Sequence, residues 1–277
     1  MLKQRIVTAV LLLAVFLPTL FYPSIEPFAA FTLLLIGAAG WEWARLNGCG
    51  PTRALSIGLA LVVALLIFWV MGGVARPWRG LWLVVGAVWV LLAVVMLRLG
   101  VARWSAWPAP LRLWLGLFLI ACAWLALVQA RLIGLSFLLS VLLLVWMADI
   151  AAYVGGRTFG RRKLAPTISP GKSWEGAISG LIGVFLMAAL WLWANRQGWG
   201  EATHLYAYLW SLGLLWALPV LAGLIAMSVA GDLVESLVKR AAGVKDSSQL
   251  LPGHGGVLDR VDALLPVLPL AMMVVTL

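Results

Sequence analysis

Aspartate is missing from the first half of this 277-residue chain: Asp149, Asp232, Asp246, Asp259 and Asp262 are its only five aspartates. Acids are scarce altogether, 10 Asp+Glu against 20 Lys+Arg, and charged residues make up 11% of the sequence. There are two cysteines and two histidines. Cys49 and Cys122 lack metal-ligand spacing, and Cys122 lies inside an apolar run, which argues against a disulfide framework. His254 has no second His or Cys at ligand spacing, so a zinc site is excluded there, and His204, in an expected external loop, reads as incidental. The chemistry of this chain is therefore expected in the second half.

Apolar residues, by contrast, make up 64% of the chain, well above the half expected of a soluble domain. Runs long enough to cross about 30 Å of hydrocarbon as helices recur along it. They lack the ten-residue alternation of a membrane barrel, and backbone groups in lipid must be satisfied within the segment. The expected fold is all-α, a polytopic helical membrane protein with about nine spans near 6–22, 28–44, 54–72, 80–97, 111–130, 132–154, 175–194, 205–230 and 263–277. The first span follows Lys3 and Arg5, has no small-residue cleavage site and leads straight into the second, so it reads as an anchor. With the N-terminus in the cytoplasm, sixteen of the 20 Lys+Arg fall on the inner side, leaving Arg76, Arg79, Arg131 and Arg196 outside. The same bias explains the net charge of +10 through anionic lipid, with no nucleic acid as partner. One membrane domain covers 1–277: hydrophobic spans over 1–131, then a catalytic half over 132–277 with cytoplasmic segments 155–174 and 231–262.

Polar residues gather in 236–262, which reads SLVKRAAGVKDSSQLLPGHGGVLDRVD. If the eighth span continues as helix, Asp232, Glu235, Ser236, Lys239 and Arg240 share one face; the plainer reading of that face is a solvated, salt-bridged helix end. The turn Pro252-Gly253-His254-Gly255-Gly256 lets backbone N–H groups approach an anion. Asp259 and Asp262 stand one helical turn apart just beyond it. Carboxylates at the mouths of consecutive helices, Asp232 and Asp259, suit a hard divalent cation whose shell substrate phosphates complete. That composition fits phosphoryl or nucleotidyl transfer.

Upstream, 155–174 carries Arg157, Arg161, Arg162, Lys163 and Lys172. Gly171-Lys172-Ser173 resembles the end of a P-loop, but position 166 is proline where the first glycine is required, so a P-loop is rejected. A basic loop on anionic lipid competes there with a substrate-phosphate role. Asp149, inside the sixth span, is a functional candidate because intramembrane carboxylates are costly. Glu42, between Trp41 and Trp43, reads as structural, and many of the 17 tryptophans suit an interfacial belt.

The stretch 236–262 closely resembles the signature of phosphatidate cytidylyltransferases, also called CDP-diacylglycerol synthases. The match is S-x-x-K-R, four residues, K-D, five residues, then P-G-H-G-G-x-x-D-R-x-D, without departure. Asp149, Ser169-Pro170-Gly171-Lys172 and Gly231-Asp232 extend it upstream, while the N-terminal spans match only in being hydrophobic. The resemblance implies that CTP and phosphatidate give CDP-diacylglycerol and pyrophosphate, with Mg²⁺ required, a potassium ion associated with the metal site, and a homodimer in the membrane. It makes Asp232 and Asp259 the metal-binding acids. On that basis Lys239, Arg240, Lys245 and Arg260 would steady phosphate oxygens, and Asp246, His254 and Asp262 would orient them. Ser169 and Lys172 would close over a substrate site that also includes Asp149, Ser236, Gly255 and Gly256. CDP-alcohol phosphotransferases are set aside because their D-x-x-D-G pattern is absent. A lipid transporter would place charges near the bilayer midplane, and a pure scaffold leaves the glycine turn unexplained.

Overall fold

Hydrophobic runs flanked by proline and glycine become helices in the computed structural model, which describes residues 2–276. In order they are α1 (Leu2–Phe21), α2 (Glu26–Leu46), α3 (Pro51–Val70), α4 (Arg79–Ala106), α5 (Ala109–Ile133) and α6 (Leu135–Phe159). A hairpin of β1 (Lys163–Ala165) and β2 (Ser169–Ser173) follows, then α7 (Trp174–Arg196), α8 (Leu205–Ser211), α9 (Leu214–Ala241), α10 (Leu258–Val261) and α11 (Leu264–Thr276). Proline stands in the first turn of α2, α3 and α5, where its missing N–H has no partner to lose. Eight of these helices are long and apolar enough to cross a membrane.

The expected spans are recovered, with two changes. The eighth does not start at 205, because Gly213 adopts φ +85 and ends α8 there. The helix that matters, α9, then runs to Ala241, so the acids and bases after Ala230 do lie on a helix. The ninth is α11, apolar over its 13 described residues and set off from the short α10 by Asp262 and Ala263. It is buried from Leu265 to Met272 and packs against α4, α5 and α9, serving as the centre of the bundle.

Apolar side chains face outward on α1, α3 and α7, among them Leu11, Val70 and Leu186, each more than 60% exposed. A surface of that kind belongs against hydrocarbon. His204 is not incidental: it is 1% exposed, its Nδ1 accepts the Ala207 N–H at 3.2 Å to cap α8, and its ring packs beside Trp191 and Tyr206.

The closest helix pairing, α6 on α7, is what places the hairpin. Gly156 of α6 meets Gly176 of α7, Gly155 lies against Ser179 and Gly183 against Ala151, and a Cβ on Gly176 or Gly180 would come within 2.8 Å of the Ala152 or Ala148 carbonyl oxygen. Small residues allow this approach. Helix α6 continues to Phe159, so the expected polar segment 155–174 is helix, then hairpin, with Lys163 opposite Ser173 and Ala165 opposite Ser169. Ser173 caps α7 by accepting the Gly176 N–H at 3.1 Å. Gly180→Val should therefore overpack the contact and cost about 1–3 kcal/mol, read as a lower thermal midpoint in detergent. Gly223→Ala, in a helical position with open space around it, should be neutral or gain up to about 1 kcal/mol.

Candidate active site

The last turns of α9 present Asp232, Glu235, Ser236 and Lys239 on one side, as 3.6-residue periodicity requires. Asp232 Oδ1 accepts from Ser236 Oγ at 3.2 Å, and Oδ2 pairs with Lys172 Nζ at 2.7 Å. Lys172 comes from β2, so the hairpin is tied to α9 through this ion pair. Asp149, on α6, lies within electrostatic reach of both Lys172 and Asp232. Ser169 sits half-buried at the start of β2.

One turn further along, Lys239 is 8% exposed and its ammonium bridges two acids. It contacts Glu235 Oε2 through a short ion pair and Asp259 Oδ1 at 2.6 Å. Glu235 is 4% exposed, and its Oε1 has no hydrogen-bond partner among the described residues. Asp259 Oδ2 accepts three donors: Ser247 N–H at 2.9 Å, Ser247 Oγ at 2.9 Å and Gly256 N–H at 2.7 Å. Burial opposes ionisation of Asp259, but the Lys239 ammonium and these N–H groups outweigh it and hold the carboxyl below its ordinary range.

The loop between α9 and α10 is folded by its glycines. Leu251 N–H donates to Gly255 O at 2.8 Å and His254 N–H to Leu251 O at 2.8 Å, with Gly253 at φ +77 and Gly255 at φ +83. A Cβ on Gly255 would meet Asp259 Oδ2 at 2.7 Å, and one on Gly256 would collide with Ser247 Oγ and Glu42 Oε1. The turn also rests on α1, where Thr8 Oγ1 donates to Pro252 O at 3.0 Å.

The structure changes several expected partnerships. Asp259 does not share its oxygens with Asp232; the loop and Lys239 take them. The acid whose charge meets that of Asp232 is Asp262, half-buried, whose Oδ1 accepts the Ala263 N–H at 2.7 Å. Burial first, and then the Asp232 charge, push the Asp262 carboxyl above its usual range. Arg260 is not turned toward an open anion site: its guanidinium donates to the His254 carbonyl, with Nε at 2.9 Å. Arg240 donates to Val244 O at 3.1 Å and reaches Ile168 O at 3.4 Å, joining α9 to the hairpin turn. Lys245 and Asp246 are exposed on an open cleft lined also by Arg45, Ser247 and Ser248, which adjoins the carboxylate cluster through Ser247. The ring of His254 is half-buried, with Nδ1 unpartnered among the described residues.

Glu42 escaped the sequence reading as a site residue. It is fully buried and accepts four hydrogen bonds from the catalytic loop: Ser247 Oγ at 3.1 Å, Ser248 Oγ at 2.5 Å, Val257 N–H at 2.9 Å and Leu258 N–H at 2.8 Å. The signal was present, an acid inside an apolar helix, but nothing local reveals partners 205 or more residues away.

Five carboxylates, those of Asp149, Asp232, Glu235, Asp259 and Asp262, thus face two ammonium groups, Lys172 and Lys239. The clustered carboxyl oxygens, with the unpartnered Glu235 Oε1 among them, are the donor type that a hard cation takes. No trio of acid, His or Cys side chains stands together as a complete ligand shell among the described residues.

Replacing Lys239 by Met should leave Glu235 and Asp259 facing each other without a cation. Breaking one partner of a buried ion pair costs about 3–5 kcal/mol, to be read by thermal unfolding in detergent, and Glu235→Gln in the same chain should recover part of it.

A family model described as the cytidylyltransferase family matches residues 3–277. The phosphatidate cytidylyltransferase of Pseudomonas aeruginosa is 40% identical over 97% of this chain and 95% of its own length. That of Haemophilus influenzae is 35% identical over 97% of this chain and 96% of its own length, and that of Brucella suis 35% identical over 95% and 89%. With its membrane bundle, its glycine turn and its acids gathered around two buried or half-buried lysines, this chain belongs to the cytidylyltransferase family.

Proposed function

We propose that this protein is a CTP:phosphatidate nucleotidyltransferase, making CDP-diacylglycerol and pyrophosphate in phospholipid biosynthesis. One observation carries the reading: residues from the signature stretch, Lys172 of the hairpin and Asp149 of α6 meet at one end of α9 in a cluster of acids and amines. Family membership and the names of the relatives support it.

Two anions must approach for this reaction. A phosphatidate phosphate oxygen attacks the α-phosphorus of CTP, the bond to the bridging α–β oxygen breaks, and pyrophosphate leaves with that electron pair. Lys172, Lys239, Arg240, Lys245 and Arg260 reduce the repulsion and hold the groups in line. For Lys172 and Arg260 this means exchanging their present partners, Asp232 and the His254 carbonyl, for phosphate oxygens. Gly255 and Gly256 belong to the substrate site through the resemblance, and here they leave room for Asp259 and for Glu42 with Ser247. Asp246 and His254 orient the phosphates, and Ser169 closes the hairpin side. Asp232 and Asp259 would hold Mg²⁺, with Asp262 beside Asp232, and a potassium ion belongs to the same reading through the family resemblance. Bound there, Mg²⁺ supplies charge neutralisation for the transferring phosphoryl group and its leaving oxygen.

CTP is water-soluble and phosphatidate stays in the leaflet, so the site belongs at the boundary of membrane and cytoplasm, where the Lys/Arg distribution also puts it. The reading includes a multi-pass protein of the cell membrane, the inner membrane in a Gram-negative source, acting as a homodimer.

Purified protein given labelled CTP, phosphatidate and Mg²⁺ should form labelled CDP-lipid, and a failure to do so with folded protein would remove the assignment. Asp232→Asn and Asp259→Asn should each abolish turnover while the protein stays folded in detergent; normal turnover in either would dismiss the metal-site assignment. Lys172→Ala should weaken substrate use and retain some activity. Unchanged kinetics there would make the hairpin a lipid contact only.

A further inference from the structure

We infer that Glu42, on the second helix and outside the signature stretch, is a positioning residue that sets the direction of the Asp259 carboxylate. The inference rests on the nucleotidyltransferase reading for its kinetic consequence, and on geometry alone for its structural one. Glu42 is fully buried, and all four of its hydrogen-bond donors come from the two ends of one loop. Ser247 and Ser248 open that loop; Val257 and Leu258 close it. A buried carboxylate costs heavily unless it is hydrogen-bonded, so it holds these two ends together as long as both supply donors.

The connection to Asp259 runs through one hydroxyl. Ser247 Oγ lies 3.1 Å from Glu42 Oε2 and 2.9 Å from Asp259 Oδ2. The Ser247 N–H is on the same Asp259 oxygen, as is that of Gly256, the residue before Val257. Every loop donor to Asp259 therefore comes from a residue that Glu42 holds directly or that adjoins one. Gly256 is part of the same packing: any side chain there would strike Glu42 Oε1 and Ser247 Oγ. With Oδ2 fixed by the loop, Oδ1 is aimed at Lys239. Take away Glu42, and the Ser247 and Gly256 donors are joined through Asp259 itself and the Leu251–Gly255 turn, without the carboxylate that holds Ser247 and Val257 from the helix side.

Glu42→Gln keeps the shape and removes one acceptor. Its amide NH₂ must face either the Val257 or the Leu258 N–H, so one end of the loop loses its partner. The test measures residue-resolved amide exchange and steady-state kinetics of the full-length protein in detergent. A purely local role would expose only the Val257 and Leu258 amides. Positioning predicts faster exchange at Ser247 and Gly256 as well, whose N–H groups bond to Asp259 and not to Glu42. It also predicts a fall in kcat of about 10²-fold, the scale of a misplaced reacting group, with KM for phosphatidate unchanged. Ser247→Ala, which leaves three of the four Glu42 donors in place, should lower kcat in the same way while the thermal midpoint stays near that of the parent. The double variant should cost no more than the worse single one, because both act through one link. Unchanged exchange at Ser247 and Gly256 in Glu42→Gln would overturn the inference, whatever the activity. So would a loss of kcat that only tracks the folded fraction. If the unaltered protein makes no CDP-lipid, the functional reading fails, and the exchange data still decide the role of Glu42. If Glu42→Gln does not fold, full kcat in Ser247→Ala overturns the inference and a lowered kcat at parental stability supports it.

Discussion

An ammonium group shut between two carboxylates, with a protein interior on every side, is the contact around which this molecule is arranged. Lys239 cannot be solvated where it stands, and neither can Glu235, so each holds its charge only while the other is there. Asp259 completes the set from a different segment. The end of α9 and the start of α10 are thereby locked in one relative position, and the intervening loop has to close within it. The glycines follow from that closure. Gly253 and Gly255 take backbone angles that a side chain resists, and Gly256 yields its Cβ volume to Glu42 and Ser247.

The same constraint explains why the N-terminal helices belong to the site although they carry no aspartate. An apolar bundle offers few polar groups, so a loop packed against it must find its hydrogen-bond partners on the few that the helices carry. Glu42 on α2 gives four, and Thr8 on α1 reaches the Pro252 carbonyl. On the opposite side, the glycine-lined contact of α6 and α7 brings the hairpin close enough for Lys172 to reach Asp232. Three separate parts of the chain thus converge on the last turns of α9, and the chemistry proposed for them depends on that convergence.

Much of this was legible beforehand, and the particulars show why. Seven of the expected spans agree with helices α1 to α7 to within a few residues at most ends, because hydrophobic length is a local property. Most of the acids and bases that meet at the end of α9 were named from the sequence, because 231–262 and its upstream extensions carry them in short polar stretches; Glu42 was not. The eighth span was misjudged because hydropathy does not register the break at Gly213, where the backbone turns left-handed. Helix α11 was legible as an apolar run, but its burial from Leu265 to Met272 against other helices was not, because hydropathy does not tell a lipid neighbour from a helical one. Arg260 and Lys245 were assigned to phosphate by the resemblance, and only the structure gives their present neighbours: Arg260 donates to the His254 carbonyl, and Lys245 lines the cleft beside Ser247.

From its amino acids alone the chain is a helical membrane protein with its acids and bases collected near one end, because transfer energy and motif spacing are written residue by residue. Which acid meets which base was decided by the tertiary structure. Lys172 takes Asp232, Lys239 takes Asp259, Asp262 is left beside Asp232, and Glu42 reaches a loop more than 200 positions away. Such pairings depend on how close helix packing and loop closure bring distant segments, and no local pattern in a sequence encodes that distance.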